Sequence, residues 1–316
     1  GQADIVVGTH ALIQDSVDIP NLALLVVDEQ HRFGVNQKNV FDRLEPRPHL
    51  LLMSATPIPS SLYFTMIGDL DLSVIDQMPV GRKPVQTYVY DKDKRDEVHR
   101  FIRKEILDGR QAFVVCPLIE ESESLQSKAA IEEYETLSRD IFPEMKIGLL
   151  HGRMKLPEKE LVMEQFRSGD IHILVATAVI EVGVDIPNAS IMVIDGAERF
   201  GLSQLHQFRG RVGRGEHQSY CILMSDNPGA DSKERMDILH KINDGFRLAD
   251  EDLRMRGAGD LIGKRQSGVP LFQVADPSDA DLVSLAGIEA DKVLNSDYEL
   301  SLEEHQELKK LSLIHI

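Results

Sequence analysis

The sequence predicts an α/β protein built on doubly wound parallel sheets, with a helical region at its C-terminal end. Three observations lead there. Short β-branched, apolar runs alternate with amphipathic stretches as far as about Met224. Those runs are apolar on both faces, as strands covered by helices on two sides must be. After about Asp226 the runs stop, and helical patterns and a glycine-rich stretch follow.

The strand-like runs are Asp4–His10, Ala23–Glu29, His49–Thr56, Val85–Asp91, Gln111–Leu118, Lys146–Gly152, Ile171–Thr177, Ser190–Gly196 and Gln218–Met224. Each is short enough for a strand and too short for a free-standing helix. Between them, Lys94–Leu107, Leu125–Ile141 and Glu158–Arg167 carry helical spacing. Pro79, Gly81 and Pro84 break the alternation and read as an interdomain linker. Three regions are therefore expected: 1–84, 85–228 and 229–316. In the third, Arg235–Leu248 reads as one helix and Arg256–Gly268 as a glycine-rich loop. Asp279–Val293 and Leu302–Leu311 read as acidic surface helices.

Composition excludes several classes. The 316 residues are 42% hydrophobic and 28% charged, the balance of a globular chain and not of a disordered or collagenous one. No apolar run approaches the roughly 20 residues of a membrane helix, so a soluble, cytoplasmic protein with no membrane partner is expected. The two cysteines, Cys116 and Cys221, sit in apolar strand-like runs and read as buried free thiols. The net charge of −17 argues at first against nucleic acid. Its distribution reverses that. Residues Glu120–Glu144 carry eight acids against Lys128 and Arg139, and Asp276–Glu307 carry ten against Lys292. Outside those two stretches the chain is near neutral and holds basic clusters, and a local basic groove matters more to a phosphate than the overall charge.

Chemistry-bearing residues cluster at strand ends. Leu24-Leu25-Val26-Val27 runs into Asp28-Glu29-Gln30-His31. Two carboxylates at the carboxyl end of a buried parallel strand lie where such sheets bind ligands. One can hold Mg²⁺ while its neighbour orients water towards a γ-phosphate. Ser54-Ala55-Thr56 closes a second apolar strand, and Val175 to Asp185 closes a third. The run Gln204–Gly215 holds Arg209, Arg211 and Arg214 among glycines, with no acid. Guanidinium groups kept close to a glycine backbone suit charge stabilisation of a transferring phosphate.

The strings DEQH, SAT, ATAVIEVGVD and QFRGRVGR resemble motifs II, III, V and VI of superfamily 2 helicases and translocases. The longer strings SATPIP, GDLDLSVID, HGRMKLPEKELVMEQF and DEDLRMRGAGDLIGKRQSG resemble the RecG family of branch-migration DNA helicases, over essentially residues 1–300. One departure is Ser60-Ser61, where that family usually has Arg-Thr. The resemblance implies two RecA-like sheets, the first truncated, that clamp ATP and Mg²⁺ and move branched DNA, as a monomer. Asp28 would hold the metal, Glu29 would activate water, and Gln30 and His31 would couple nucleotide to domain closure with Ser54 and Thr56. Gly183, Asp185 and Gln207 would approach the nucleotide, and Arg211 and Arg214 would be arginine fingers. Thr9, His10, His151, Gly152, Arg153 and Thr177 would contact the DNA backbone. Arg235, Arg256 and Gln266 would couple closure to DNA movement. The transcription-repair coupling factor motor shares the general plan, and a non-catalytic nucleic-acid-binding role or a metal-dependent hydrolase also stays open.

One pattern is missing. No Gly-x-x-x-x-Gly-Lys-Ser/Thr occurs, and the nearest decoy, Gly259 to Arg265, has three intervening residues and no hydroxyl. The sequence therefore reads as starting midway through the first RecA-like domain. Because Asp28 and Glu29 cannot replace a phosphate cradle, these 316 residues expressed alone should give no DNA-stimulated phosphate release above background. Turnover typical of a motor ATPase from a rigorously pure sample would refute this.

Overall fold

A computed structural model of the chain describes residues 3–13, 17, 19, 21–29, 48–54, 71, 73–79, 81–116, 123–177, 186–226, 228–256 and 280–314. The chain divides into two compact units, Gly1–Pro57 and Ile58–Ile316.

In the first unit, β1 (Leu24–Val27) and β2 (His49–Leu52) pair in parallel, with Leu24 opposite His49 and Val27 opposite Leu52. Val27 is buried. The strand expected at Asp4–His10 does not form: residues 4–9 are irregular, and His10–Ile13 makes a 3-10 turn. Ile5, Val6 and Val7 suit a strand, but a strand also needs a neighbour for its backbone groups, and among the described residues none lies alongside.

The second unit holds a six-stranded sheet. Its elements run β3 (Gln86–Asp91), α1 (Arg95–Leu107), β4 (Gln111–Val115), α2 (Glu123–Thr136), β5 (Ile147–Leu150), α3 (Leu156–Arg167), β6 (Ile173–Ala176), β7 (Ala189–Ile194), α4 (Leu202–Arg209) and β8 (Tyr220–Ser225). The strand order is β3-β8-β7-β4-β6-β5, and every pairing is parallel. All residues of β4, β6 and β7 are buried, which explains why their sequences are apolar without alternation.

The period of two sorts these side chains onto two cores. Phe113, Val115, Leu174, Ala176, Met192 and Ile194 face one side, where Phe166 of α3 and Leu205 and Phe208 of α4 cover them. Ala112, Val114, Ile173, Val175, Ile191 and Val193 face the other, under Val98, Ile102 and Ile106 of α1 and Ala130 of α2. Cys116 and Cys221 are buried, as their surroundings in sequence suggested. Burial pushes the Cys221 thiol up to about 12 and the Cys116 thiol up as well.

The single helix expected at Arg235–Leu248 is two, α5 (Ala230–Lys241) and α6 (Gly245–Arg256). Asp244 causes the break. Its Oδ1 accepts from the backbone N–H of Phe246 (2.8 Å) and Arg247 (3.1 Å), capping α6. The apolar spacing runs on across the break, since Met236, Leu239 and Leu248 all enter the same core as α4. Two further helices, α7 (Ala280–Ser296) and α8 (Gln306–Ile314), follow. They are joined by a turn in which Asp297 accepts from Ser301 N and Leu302 N (both 2.8 Å) and pairs with His305 Nδ1 (2.9 Å). These donors hold the Asp297 carboxyl far below the usual carboxylate range. Among the described residues, no helix is long and apolar enough to cross a membrane.

Phe166 is fully buried, with its ring 4.9 Å from that of Phe113. Phe166→Ala should cost about 3–5 kcal/mol, read as a shift in the denaturant midpoint. A shift equivalent to a surface change would contradict the packing described.

Candidate functional site

Because all six strands run parallel, the second sheet has one carboxyl edge and one amino edge. Strands of four to six residues hold these roughly 13–20 Å apart. The sequence-marked residues divide between them.

His151, Gly152 and Arg153 leave the carboxyl end of β5, and Thr177 leaves that of β6. The strands are neighbours, and Thr177 N donates to Leu150 O (3.2 Å), which draws the four residues together. Thr177 is buried, His151 and Gly152 are half-buried, and Arg153 is exposed. Met154 N donates to His151 O (3.2 Å), and Lys159 Nζ donates to Gly152 O (2.8 Å), which brings an ammonium to the turn. Burial, then the nearby Lys159 and Arg153 charges, lower the His151 pKa, so its imidazole is neutral at pH 7. His151 Nδ1 is enclosed and has no hydrogen-bond partner among the described residues. The arrangement offers polar groups and positive charge to an anion.

The rest of this edge is different. Beyond β7, Asp195 meets Arg95 (Oδ1 to Nη2, 2.7 Å), Glu133 lies 3.8 Å from the same guanidinium, and Lys92 pairs with Asp226 beyond β8. Burial raises the pKa of both Asp195 and Glu133. An anion is thus favoured at β5 and β6 and not at β7 and β8.

At the amino edge, α4 leads into the turn that carries Arg211 and Arg214 to the start of β8. The three arginines of this run separate. Arg209 is buried, and its Nη1 donates to Leu239 O (2.9 Å) and Ile242 O (2.8 Å) while Nη2 reaches Asn243 O (3.3 Å) and His206 Nδ1 (3.1 Å). It closes the C-terminal end of α5 and cannot serve a ligand. Arg211 is half-buried and Arg214 exposed, with Arg214 Nε donating to Gly210 O (3.3 Å). Gln207 lies half-buried on α4. Arg82 Nε donates to Gly213 O (2.8 Å), and Gln218 Nε2 donates to Pro84 O (2.8 Å).

The α5–α6 hairpin is tied to this region twice more. Ser203 Oγ on α4 donates to Asp252 Oδ2 on α6 (2.6 Å). Arg235 Nη2 on α5 donates to Glu198 O (3.0 Å), in the turn between β7 and α4.

In the first unit, Asp28 and Glu29 follow β1, and Met53 N donates to Val27 O (2.8 Å), so Ser54 leaves β2 at the same edge. Asp28 and Ser54 are exposed and Glu29 is half-buried. Glu29 holds φ of 54°, a left-handed conformation that costs a non-glycine residue energy, and its N–H donates to Asp28 Oδ1 (2.9 Å). The carboxylate oxygens of this pair are hard donors of the kind Mg²⁺ takes. Thr9 is exposed and its carbonyl accepts from Leu12 N (3.0 Å).

Gln30, His31, Thr56, Gly183, Asp185 and Gln266 lie outside the described residues, as do Ser60 and Ser61 and the side chains of His10 and Arg256. Reading the sequence alone missed Arg82, Asp252 and the distinct part of Arg209. For Arg209 a signal existed, since it lies four residues after Leu205 and seven after Leu202, on the apolar side of a helix. For Arg82 the signal was a basic pair set between linker prolines. Asp252, an acid on an acid-rich helix, carried none.

Comparison with known proteins places this geometry. Residues 93–216 match the helicase conserved C-terminal domain and residues 1–63 the DEAD/DEAH box helicase domain. Residues 242–313 match the C-terminal domain 3 of the ATP-dependent DNA helicase RecG. An ATP-dependent DNA helicase RecG of Bacillus subtilis is 54% identical over 277 residues, covering 87% of this chain and 40% of that protein. One of Synechocystis sp. is 49% identical over 310 residues, covering 98% of this chain and 37% of that protein. This chain belongs to the RecG family of ATP-dependent DNA helicases. A solved structure of RecG bound to a three-way DNA junction superposes with a TM-score of 0.68 at 46% identity, over 90% of this chain and 36% of that one. The chain therefore spans about two fifths of the length of its RecG relatives. Yeast Dbp5 bound to RNA and ADP BeF3, at 17% identity over 76% of this chain and 63% of that one, shares the fold with a TM-score of 0.51.

His206 reports on the Arg209 anchor. Burial, then the Arg209 charge, lower its pKa to about 4, so in the folded state it is neutral and Nδ1 can accept from Arg209. The unfolded state takes up this proton near pH 6.5 and the folded state only near 4. Stability should therefore fall as pH drops through that window, and His206→Gln should flatten that part of the profile. An unchanged slope in the variant would show that His206 does not bear the shift.

Proposed function

We propose that this chain forms the motor portion of an ATP-dependent DNA translocase that acts on branched DNA, such as forks and four-way junctions, in recombination and repair. The observation that carries this reading is the division of one parallel sheet into two working edges. The carboxyl edge at His151, Gly152, Arg153 and Thr177 suits a DNA backbone, and the amino edge presents Arg211 and Arg214. Both edges are rigidly joined through fully buried strands, so a shift at one moves the other. The α5–α6 hairpin is fastened to α4 through Arg209 and Asp252, which suits it to pass that shift onward through Arg235, Arg256 and Gln266. We place the region boundaries at 84/85 and 228/229 and take the working unit to be a monomer.

In this reading Asp28 would hold Mg²⁺, which neutralises phosphate charge when bound. Glu29 accepts a proton from the attacking water and orients it, and its position beside Asp28 puts that carboxylate next to the metal ligand. Gln30, His31, Ser54 and Thr56 couple the nucleotide to domain closure. Gly183, Asp185 and Gln207 bind the nucleotide from the second domain. Arg211 and Arg214 neutralise charge on the transferring phosphoryl group. Thr9 and His10 add backbone contacts to DNA from the first domain.

In the full-length protein, Glu29→Gln should bind ATP and hydrolyse almost none, because an amide cannot take the proton. Arg214→Ala should lower DNA-stimulated turnover by about 10³–10⁵ if it is a finger. Steady-state phosphate release on both variants decides the matter. If Arg214→Ala stays within about tenfold of the parent, the finger role passes to Arg211 or is lost.

A further inference from the structure

We propose that Arg82 is a positioning residue for hydrolysis: it holds the Gly213–Arg214 peptide in the orientation from which Arg214 reaches the phosphate. This rests on the reading of Arg214 as a finger.

The argument starts from one bond. Arg82 Nε donates to Gly213 O at 2.8 Å, across 131 residues of sequence. That carbonyl and the N–H of Arg214 share one planar peptide group. Fixing the oxygen therefore fixes the plane from which the Arg214 Cα and side chain depart. Such a restraint is needed at this position. Gly213 has φ of +80°, and glycine alone gives the backbone little preference among alternative orientations of that plane. A charged donor on the carbonyl supplies the preference.

The surroundings show that Arg82 is itself held. Gly81 takes φ of +87°, and Arg82 N donates to Pro79 O (3.2 Å), a turn that aims the guanidinium at the loop. Downstream, Gln218 Nε2 donates to Pro84 O (2.8 Å) and Gln86 N to Ser219 O (2.9 Å). Val85 Cγ2 lies 2.7 Å from where a Cβ on Gly213 would stand, so side chain as well as hydrogen bond presses on this glycine. On the far side, a Cβ on Gly215 would meet Pro187 O at 2.4 Å. The turn carrying Arg214 is therefore clamped between residues 82–86 and the segment that enters β7. Arg82 and Arg214 both line an open cavity of about 830 Å³, together with Pro79, Pro187, Glu216 and His217. In sequence the Pro79–Pro84 stretch reads as an interdomain linker. Here one of its residues sets the geometry of a catalytic loop.

The test uses the full-length protein and the variants Arg82→Ala, Arg82→Lys, Arg214→Ala and Arg82→Ala/Arg214→Ala. DNA-stimulated ATP hydrolysis is resolved into kcat and KM, and thermal unfolding is followed on each variant. Misplacing the finger should lower kcat of Arg82→Ala on the order of 10–100-fold. KM for ATP should stay within about threefold, since ground-state binding is untouched. Lysine can still donate to the carbonyl, so Arg82→Lys should recover most of the loss. The double variant should be no slower than Arg214→Ala, because Arg82 acts only through Arg214.

Three results overturn the proposal. The first is turnover by Arg82→Ala equal to that of the parent. The second is a raised KM with kcat unchanged, which would put Arg82 on the nucleotide. The third is a double variant that falls by the product of the single effects. If Arg82→Ala unfolds early, the comparison of Arg82→Lys with the parent and the same cycle built on lysine carry the decision. An Arg214→Ala variant with normal turnover sinks the finger assignment by itself, before any Arg82 variant is considered, and this proposal with it.

Discussion

The burial of one guanidinium, that of Arg209, constrains the whole second half of the molecule. An arginine taken out of water keeps its charge and must have its N–H groups bonded. Here the acceptors are carbonyls at the C-terminal end of α5 and in the turn to α6. Those carbonyls are the groups a helix end leaves without intrahelical partners, and they carry the negative end of the helix dipole. Each side thus satisfies the other. The result is that α4, which begins the run leading to Arg211 and Arg214, cannot move independently of the hairpin that follows the sheet.

That constraint explains why residues so similar in sequence do different things. Arg209, Arg211 and Arg214 are spaced by glycines and look interchangeable, yet α4 ends at Arg209. Arg209 stays on the helix face of the buried Leu205 and Leu202, one and two turns before it, whereas beyond Gly210 and Gly213 Arg211 is half-buried and Arg214 exposed. The catalytic potential of the loop therefore depends on where one helix stops.

Much of the fold was legible in the sequence because buried parallel strands leave a plain mark: short runs of Val, Ile, Leu and Ala without alternation. The eight strands among the described residues fall within runs read that way, to within a residue at their ends, although β1 and β2 leave Leu24, Val26 and Leu51 exposed. The ninth run, Asp4–His10, shows the weakness of that signal, because strand propensity says nothing about whether a neighbour is present. The break between α5 and α6 was hidden for a related reason. Apolar periodicity reports a shared core, and Met236, Leu239 and Leu248 do share one; only the capping geometry of Asp244 reveals that two helices reach it. Of the site, the strand-end residues were legible, since Asp28, Glu29, Ser54, His151 and Thr177 all stand where parallel strands terminate. Arg82 and Asp252 were harder to read, because the bonds that give them a place in the fold reach residues more than 45 positions away in sequence.

The state of the two cysteines has a practical side. Both thiols are enclosed within the sheet layers and stay protonated well above neutral pH. The thiolate is the nucleophile that attacks an alkylating reagent, so neither cysteine competes for such reagents while the protein is folded. A single cysteine introduced at an exposed site, such as Leu107 on α1 or Tyr298 beyond α7, would then be the reactive one in this chain. Dyes could be placed on α1 and in the turn after α7 without first replacing the native cysteines, and the relative motion of the two could be followed during turnover.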